Sequence, residues 1–296
     1  MERKMGVLEE KPSALLYDYD VVCADSAMGG TLPEEFMIPK ENIPDCRDQK
    51  TTGQCVAFAT TNVMQILNQI ETGERVRFST TYVYGRHREE TERTLEGMYP
   101  EKVLGKLKHL GSVYEEDLPQ LLEVPEAYDY VKAHPELDEK AEPFKISSYI
   151  GFTSADQEVK TRQIKHALFT YQVPLLGIMD MQNATHAISL VGWNKTGFIY
   201  MNSWGKSSGE DGICEVKYKT LRRAYLMLDA KNTNAFPFVD VSENHWAKEA
   251  ILHCYNAGLI NGMDETHFAP DEPLTRAQMC QILYKYIKKT EDTKNG

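Results

Sequence analysis

Four residues in two stretches of this sequence have the types and the spacing to do chemistry together. Gln49 and Cys55 lie in Asp48-Gln-Lys-Thr-Thr-Gly-Gln-Cys-Val-Ala-Phe-Ala59; His186 lies in Thr185-His-Ala-Ile-Ser-Leu-Val-Gly-Trp193 and Asn202 in Tyr200-Met-Asn-Ser-Trp-Gly205. A thiol attacks as its thiolate, which a free cysteine is mostly not at neutral pH. An imidazole can take the thiol proton and later return it to a leaving group. One side-chain amide can orient that imidazole, and another can donate to an oxygen that becomes negative in the transition state. Each residue alone has a plain structural explanation, since a lone cysteine is more often an inert apolar residue. The coincidence of all four in order is the signal.

These side chains need elements to position them. Apolar residues Val56, Ala59, Val63, Ile66, Leu67 and Ile70 recur at steps of three and four, which predicts an amphipathic helix. Cys55 falls in its first turn, where the positive end of the helix favours an anion and predicts a lowered thiol pKa. Ala187 to Trp193 and Phe198 to Met201 read as two strands joined by the turn Asn194-Lys-Thr-Gly197. Folded back antiparallel, they set His186 across from Ser203 to Gly205, within reach of Asn202, with Trp204 covering the hydrogen bond.

The order and spacing of these residues resemble the papain-like cysteine peptidases from about residue 32 to about residue 230. Gln49 precedes Cys55 by six positions and His186 follows it by 131, as in that family. The resemblance implies an α+β, two-lobed fold with a helical and a β-rich lobe. It also implies a protein or peptide substrate, no cofactor, and no metal. Gln49, Cys55, His186 and Asn202 would be catalytic and Trp204 supporting. Leu95-Glu-Gly-Met98 stands where relatives carry a glycine-rich segment lining the substrate cleft, which makes Gly97 and Met98 candidate substrate contacts; the alternative is an ordinary turn before a helix. Two departures are visible. Thr52-Gly-Gln-Cys-Val56 lacks the first cysteine common in the family, and Ser208 stands where a second tryptophan is usual. Both point to a bacterial or phage branch.

Length and charge set further bounds. The chain has 296 residues and a net charge of −11, and no basic run, which speaks against nucleic acid as a partner. No apolar stretch is long enough for a membrane span. The six cysteines lack the close pairing of a zinc site, and their scatter fits a reducing compartment. Residues 1–31 show little periodicity and read as a tail or as a short propeptide lying in the cleft. Residues 55–135 read mostly as helix, with Tyr128 to Leu137 a surface insertion. Val159 to Tyr171 reads as a helix with Ile164, Ala167, Leu168 and Tyr171 on one face, followed by a buried strand from Val173 to Met179.

Beyond residue 237 the pattern changes. Phe238-Val-Asp-Val-Ser-Glu-Asn-His-Trp246, Ala257-Gly-Leu-Ile-Asn-Gly262, Phe268-Ala-Pro-Asp271 and Leu274-Thr-Arg-Ala-Gln-Met279 resemble a single S-layer homology module over about residues 238–288, with 289–296 as a tail. Physically it is two helices, one from about His245 closed by Gly258, the other capped by Thr275 and running through Met279, Ile282, Leu283 and Tyr286. In that family three modules commonly assemble to bind acidic wall polysaccharide. Carried over by position, Asp240, Trp246, Gly262 and Arg276 would face that polymer, or would instead hold the two helices together. A lone module would have to oligomerise or pair with another protein.

The leading expectation is therefore a cysteine endopeptidase held on a cell wall by its module. The alternatives are a hydrolase of peptidoglycan peptides and a wall-binding adaptor with a vestigial peptidase lobe. The module suggests the cell surface. The first ten residues, charged and without an apolar run, suggest the cytoplasm or a phage particle.

Overall fold

The computed structural model describes residues 4–9, 17–18, 32–181, 184–229, 238, 240–242, 245–256, 259–263 and 267–292. The chain divides into two compact units, residues 1–13 with 31–231 and residues 14–30 with 232–296.

In the first unit, helix α1 (Cys55–Thr72) begins at Cys55 and ends at Gly73, whose φ of 74° is one that glycine adopts without strain. Every side chain from Cys55 to Leu67 is buried, so the helix is not amphipathic over its first half as its apolar spacing predicts. Its polar residues are buried because they have partners. The Arg47 guanidinium donates to Thr61 Oγ1 at 2.6 Å, Asn62 Oδ1 at 3.0 Å and Phe78 O at 2.8 Å, and Gln65 Oε1 accepts from Phe78 N at 3.2 Å. Burial lowers the Arg47 pKa to about 10, so the residue stays charged at neutral pH.

Helix α2 (Thr80–Arg86) is capped by Ser79, whose side chain accepts from Tyr82 N. Helix α3 (Pro100–Leu110) starts on a proline and stops at Gly111. Helices α4 (Glu126–Ala133) and α5 (Glu136–Ala141) occupy the stretch read as a surface insertion, and most of Tyr128 to Leu137 is exposed or half-buried. Val131, Leu137 and Ala141 close a core cluster with Tyr82, Val113 and Leu118. The segment is the outer wall of the α2 core.

The β half is an antiparallel sheet. Its strands are β1 (Phe36–Met37), β2 (Ile146–Phe152), β3 (Leu175–Met181), β4 (Ala184–Trp193), β5 (Gly197–Met201), β6 (Ile213–Lys217) and β7 (Leu221–Asp229). They run in the order β2-β7-β3-β4-β5-β6, with β1 also paired to β4. The β4–β5 hairpin has Ser189 opposite Met201 and Trp193 opposite Phe198. Asn194 sets its turn, with Oδ1 accepting from the Thr196 and Gly197 amides at 2.8 and 3.0 Å. Helix α6 (Gln157–Tyr171) is N-capped by Asp156; Ile164, Ala167 and Leu168 are buried, while Tyr171 is only half-buried.

Helix α1 lies against β4. Ile66 packs with Ile38, Val191 and Met201, and Ser189 Oγ donates to Ala59 O at 3.2 Å. This contact is what carries the start of α1 toward the residues on β4. A helical part and a β part thus meet along α1.

In the second unit, helices α7 (Lys248–Asn256) and α8 (Arg276–Asp292) are present. Phe238, Val241 and Ile251 form a small core with Tyr255, Ile260 and Phe268 against it. Thr275 and Gln278 form a reciprocal cap at the start of α8: Gln278 N donates to Thr275 Oγ1 at 3.2 Å and Thr275 N to Gln278 Oε1 at 2.9 Å. Met279, Leu283 and Tyr286 on α8 are exposed. Gly258 lies outside the described residues.

Candidate active site

Cys55 is the first residue of α1, and its thiol is completely buried. Gly6 N donates to Cys55 Sγ at 3.2 Å. Burial pushes the thiol pKa up, and the backbone N–H groups of Ala187 and Gly6 only partly counter it. The expected lowering by the helix end is thus reversed in this state, because the thiol is sealed from water. Ala187 is the residue after His186, so the strand carrying the imidazole borders the sulfur.

His186, on β4, is also fully buried. Its Nε2 lies 2.9 Å from Asn202 Oδ1. Ser203 N donates to the same Oδ1 at 2.8 Å, which identifies that atom as the oxygen. An acceptor facing Nε2 requires Nε2 to carry hydrogen, so proton exchange with a nucleophile falls to Nδ1. The Trp204 ring lies over the imidazole, with centroids 4.8 Å apart and planes at 33°.

Gln49 is locked on both sides. Its backbone N donates to Ser203 O at 2.8 Å, and its Oε1 accepts from Ser203 Oγ at 2.5 Å. Its Nε2 donates to Thr52 O at 2.7 Å and to Lys4 O at 3.2 Å. Ser203 therefore fixes the amide so that its N–H side faces a peptide carbonyl. Nothing in the spacing of Ser203 points to this role beyond its place next to Asn202.

The carbonyl and the amide that reach Gln49 and Cys55 both come from residues 4–9, which lie along the site as an extended strand. Met98 N donates to Gly6 O at 2.7 Å and Leu8 N donates to Met98 O at 2.9 Å, a parallel bridge centred on Val7. Thr185 Oγ1 donates to Val7 O at 3.4 Å. Lys4 pairs with Glu96 at 2.6 Å and Glu123 at 3.5 Å, and Glu9 pairs with Arg222. The approach is as close as glycine allows. A Cβ on Gly6 would stand 1.8 Å from Gly53 O, and one on Gly97, whose φ is 88°, would stand 2.6 Å from Gly6 O. Gly97 and Met98, expected as substrate contacts, are therefore where this peptide strand pairs.

Gln49 holds the carbonyl of Lys4, whereas Cys55 faces the amide of Gly6, so the two contacts fall on different peptide groups.

In the second unit the four expected polymer-facing residues have different surroundings. Asp240 accepts from Phe268 N at 2.9 Å and Ala269 N at 2.7 Å, so its carboxylate closes a loop. Trp246 is 90% exposed, with its ring beside His245. Arg276 opens α8 and is exposed, and Gly262 is half-buried. Among the described residues no cluster of three or more His, Cys, Asp or Glu side chains is placed to hold a metal ion, and no helix is long and apolar enough to cross a membrane. Cys46, Cys55, Cys214, Cys254 and Cys280 are free thiols; Cys23 lies outside the described residues.

Comparison with known proteins places the two units. A family model described as papain family cysteine protease matches residues 32–227, and one described as S-layer homology domain matches residues 237–280. Xylellain, a cysteine protease from Xylella fastidiosa, is similar with a TM-score of 0.63 and 18% identity, over 78% of this chain and 98% of that one. Procathepsin B from Trypanosoma congolense is similar with a TM-score of 0.58 and 15% identity, over 76% of this chain and 86% of that one. At such identity the likeness speaks for the fold. A cellulosome-anchoring protein of Acetivibrio thermocellus is 30% identical over 67 residues, which is 23% of this chain and 15% of that protein. The chain thus spans only a small part of that curated relative.

Proposed function

This chain belongs to the papain family of cysteine proteases, and we propose that Cys55, His186 and Asn202 form its catalytic triad with Gln49 as oxyanion donor. The Cys55 thiolate attacks a peptide carbonyl carbon while His186 Nδ1 holds the proton. The developing oxyanion is met by Gln49 Nε2 and the Cys55 backbone N–H. The C–N bond breaks as His186 protonates the leaving amine, which leaves a thioester on Cys55. Water then attacks the thioester carbon, gives its proton to His186, and the C–S bond breaks to release the acid. Asn202 keeps the imidazole in the tautomer these steps need.

One observation carries this reading: a peptide strand already lies on the proposed nucleophile and oxyanion donor, with Gly6 N at 3.2 Å from Cys55 Sγ and Lys4 O at 3.2 Å from Gln49 Nε2. The same strand must leave before a substrate can enter, so residues 4–9 act as a built-in occupant of the propeptide kind. Labelling with an epoxide inhibitor of thiol proteases, followed by peptide mapping, tests the assignment. Modification confined to Cys55 supports it, and modification at another cysteine or at none contradicts it.

The S-layer homology domain is the part through which we propose attachment to acidic cell-wall polysaccharide. The exposed Trp246 supplies a flat face for a sugar and Arg276 a fork for a carboxylate. The support is the match itself together with a relative named for anchoring. A pull-down of the full chain on purified wall polymer tests it.

A further inference from the structure

We infer that Ser208 is a positioning residue for Asn202 and, through it, for His186; the inference rests on the triad proposed above. The side-chain amide of Asn202 has two ends. Its oxygen is fixed by Ser203 N at 2.8 Å and faces His186 Nε2 at 2.9 Å. Its Nδ2 donates to Ser208 Oγ at 3.0 Å. Ser208 Oγ is in turn 3.4 Å from Cys214 Sγ, a hydrogen bond of either sense. The result is a file of side chains running His186, Asn202, Ser208, Cys214.

The hydroxyl is held in place by backbone on both sides. Ser208 N donates to Gly205 O at 3.1 Å and Gly212 N donates to Ser208 O at 2.9 Å, while Asn202 N donates to Gly212 O at 2.9 Å. Gly205, Gly209 and Gly212 have φ of 78°, 61° and 89°, so the loop takes a path built on glycine. A Cβ on Gly209 would stand 2.1 Å from Ile213 O, so the turn beside Ser208 packs closely on the backbone of β6. The loop therefore delivers one hydroxyl to one amide.

An amide with only its oxygen end fixed can rock about χ2, a broad torsion. Each such excursion lengthens the bond to Nε2 and weakens the hold on the imidazolium. A side chain at position 208 without an acceptor would leave the amide in that condition. Asn202 would remain, but the imidazolium it stabilises would lose its proton at a lower pH.

The test uses the full chain and the variants S208A, S208T and S208C, with C55A as control. Because the unsubstituted chain carries the same cleft occupant, ratios to it cancel the occupied fraction. Loss of one neutral hydrogen bond predicts that S208A lowers kcat about three- to tenfold, with KM unchanged. The alkaline limb of kcat/KM, which reports loss of the imidazolium proton, moves to lower pH. S208T restores both, and S208C, with its weak sulfur acceptor, falls between. Histidine-selective ¹⁵N NMR gives a readout free of turnover: the His186 Nε2–H exchanges with water faster in S208A than in the unsubstituted chain or S208T. Unchanged rate, pH limb and exchange in S208A overturn the inference, as does a loss with an unmoved alkaline limb that S208T fails to restore. Activity surviving in C55A would instead overturn the triad itself.

Discussion

Gly6 N donates to Cys55 Sγ at 3.2 Å, so the strand over the proposed nucleophile gives the sulfur an amide hydrogen. Under the proposed function, a strand held in this way must leave before a substrate enters. The fit depends on the absence of a Cβ, because Gly6 already abuts the backbone of Gly53.

Gly6→Ala therefore activates. The added carbon cannot coexist with Gly53 O, and overpacking of this kind costs about 1–3 kcal/mol. The strand's occupancy falls accordingly, and alkylation of Cys55 by iodoacetamide speeds up roughly tenfold, with turnover of a small peptide rising in parallel. Mass spectrometry of the alkylated peptide measures the first and a fluorogenic peptide the second. An unchanged alkylation rate would count against the strand as a blocking device.

Gln49→Ala lowers kcat by about 10²–10³, because its Nε2 stands where a peptide carbonyl is held. Ser203→Ala has a smaller effect in the same direction, since it frees Gln49 Oε1 to rotate. Steady-state kinetics on the two variants check the order of the effects.

His87 predicts an acid limit to the stability of the peptidase unit. Burial is the main cause that lowers its pKa from 6.5 to about 4, although Nε2 bonds Gly111 O at 2.9 Å. The group is neutral when folded and ionises sooner when unfolded. Its contribution is therefore complete above pH 6.5 and is lost as pH falls through about 4. The size is about 3 kcal/mol. Thermal unfolding of His87→Asn, compared with the unsubstituted chain between these pH values, should show a flatter decline in Tm.

Trp246→Ala weakens retention on purified wall polymer by roughly tenfold, because the ring is exposed and contributes little to the module's core. Unchanged retention would assign binding to another face.

How much of this was legible beforehand differs by residue. Cys55 at the start of a helix and His186 with Asn202 across a hairpin follow from spacing alone, because periodicity and turn chemistry fix faces and register. For residues 4–9 the sequence leaves two readings, a tail or a short propeptide in the cleft, because a strand held by backbone hydrogen bonds and a glycine's missing side chain has no pattern to choose between them. The contacts with Cys55 and Gln49 favour the second. Ser203 was invisible as the holder of Gln49, since that contact joins residues 154 positions apart. For Cys55 the spacing shows the helix end, which lowers the thiol pKa, but not the burial, which raises it. The surface stretch Tyr128 to Leu137 gives no sign that Val131 and Leu137 turn inward, because short helices of mixed charge bury only a few residues each.

The most direct test of the central claim is the hydrolysis of a denatured protein by the Gly6→Ala chain with and without a second change, Cys55→Ala. The account predicts cleavage by the first and none by the second, with the doubly substituted chain folded to the same Tm within a few degrees. Continued cleavage by the chain lacking the Cys55 thiol would contradict it.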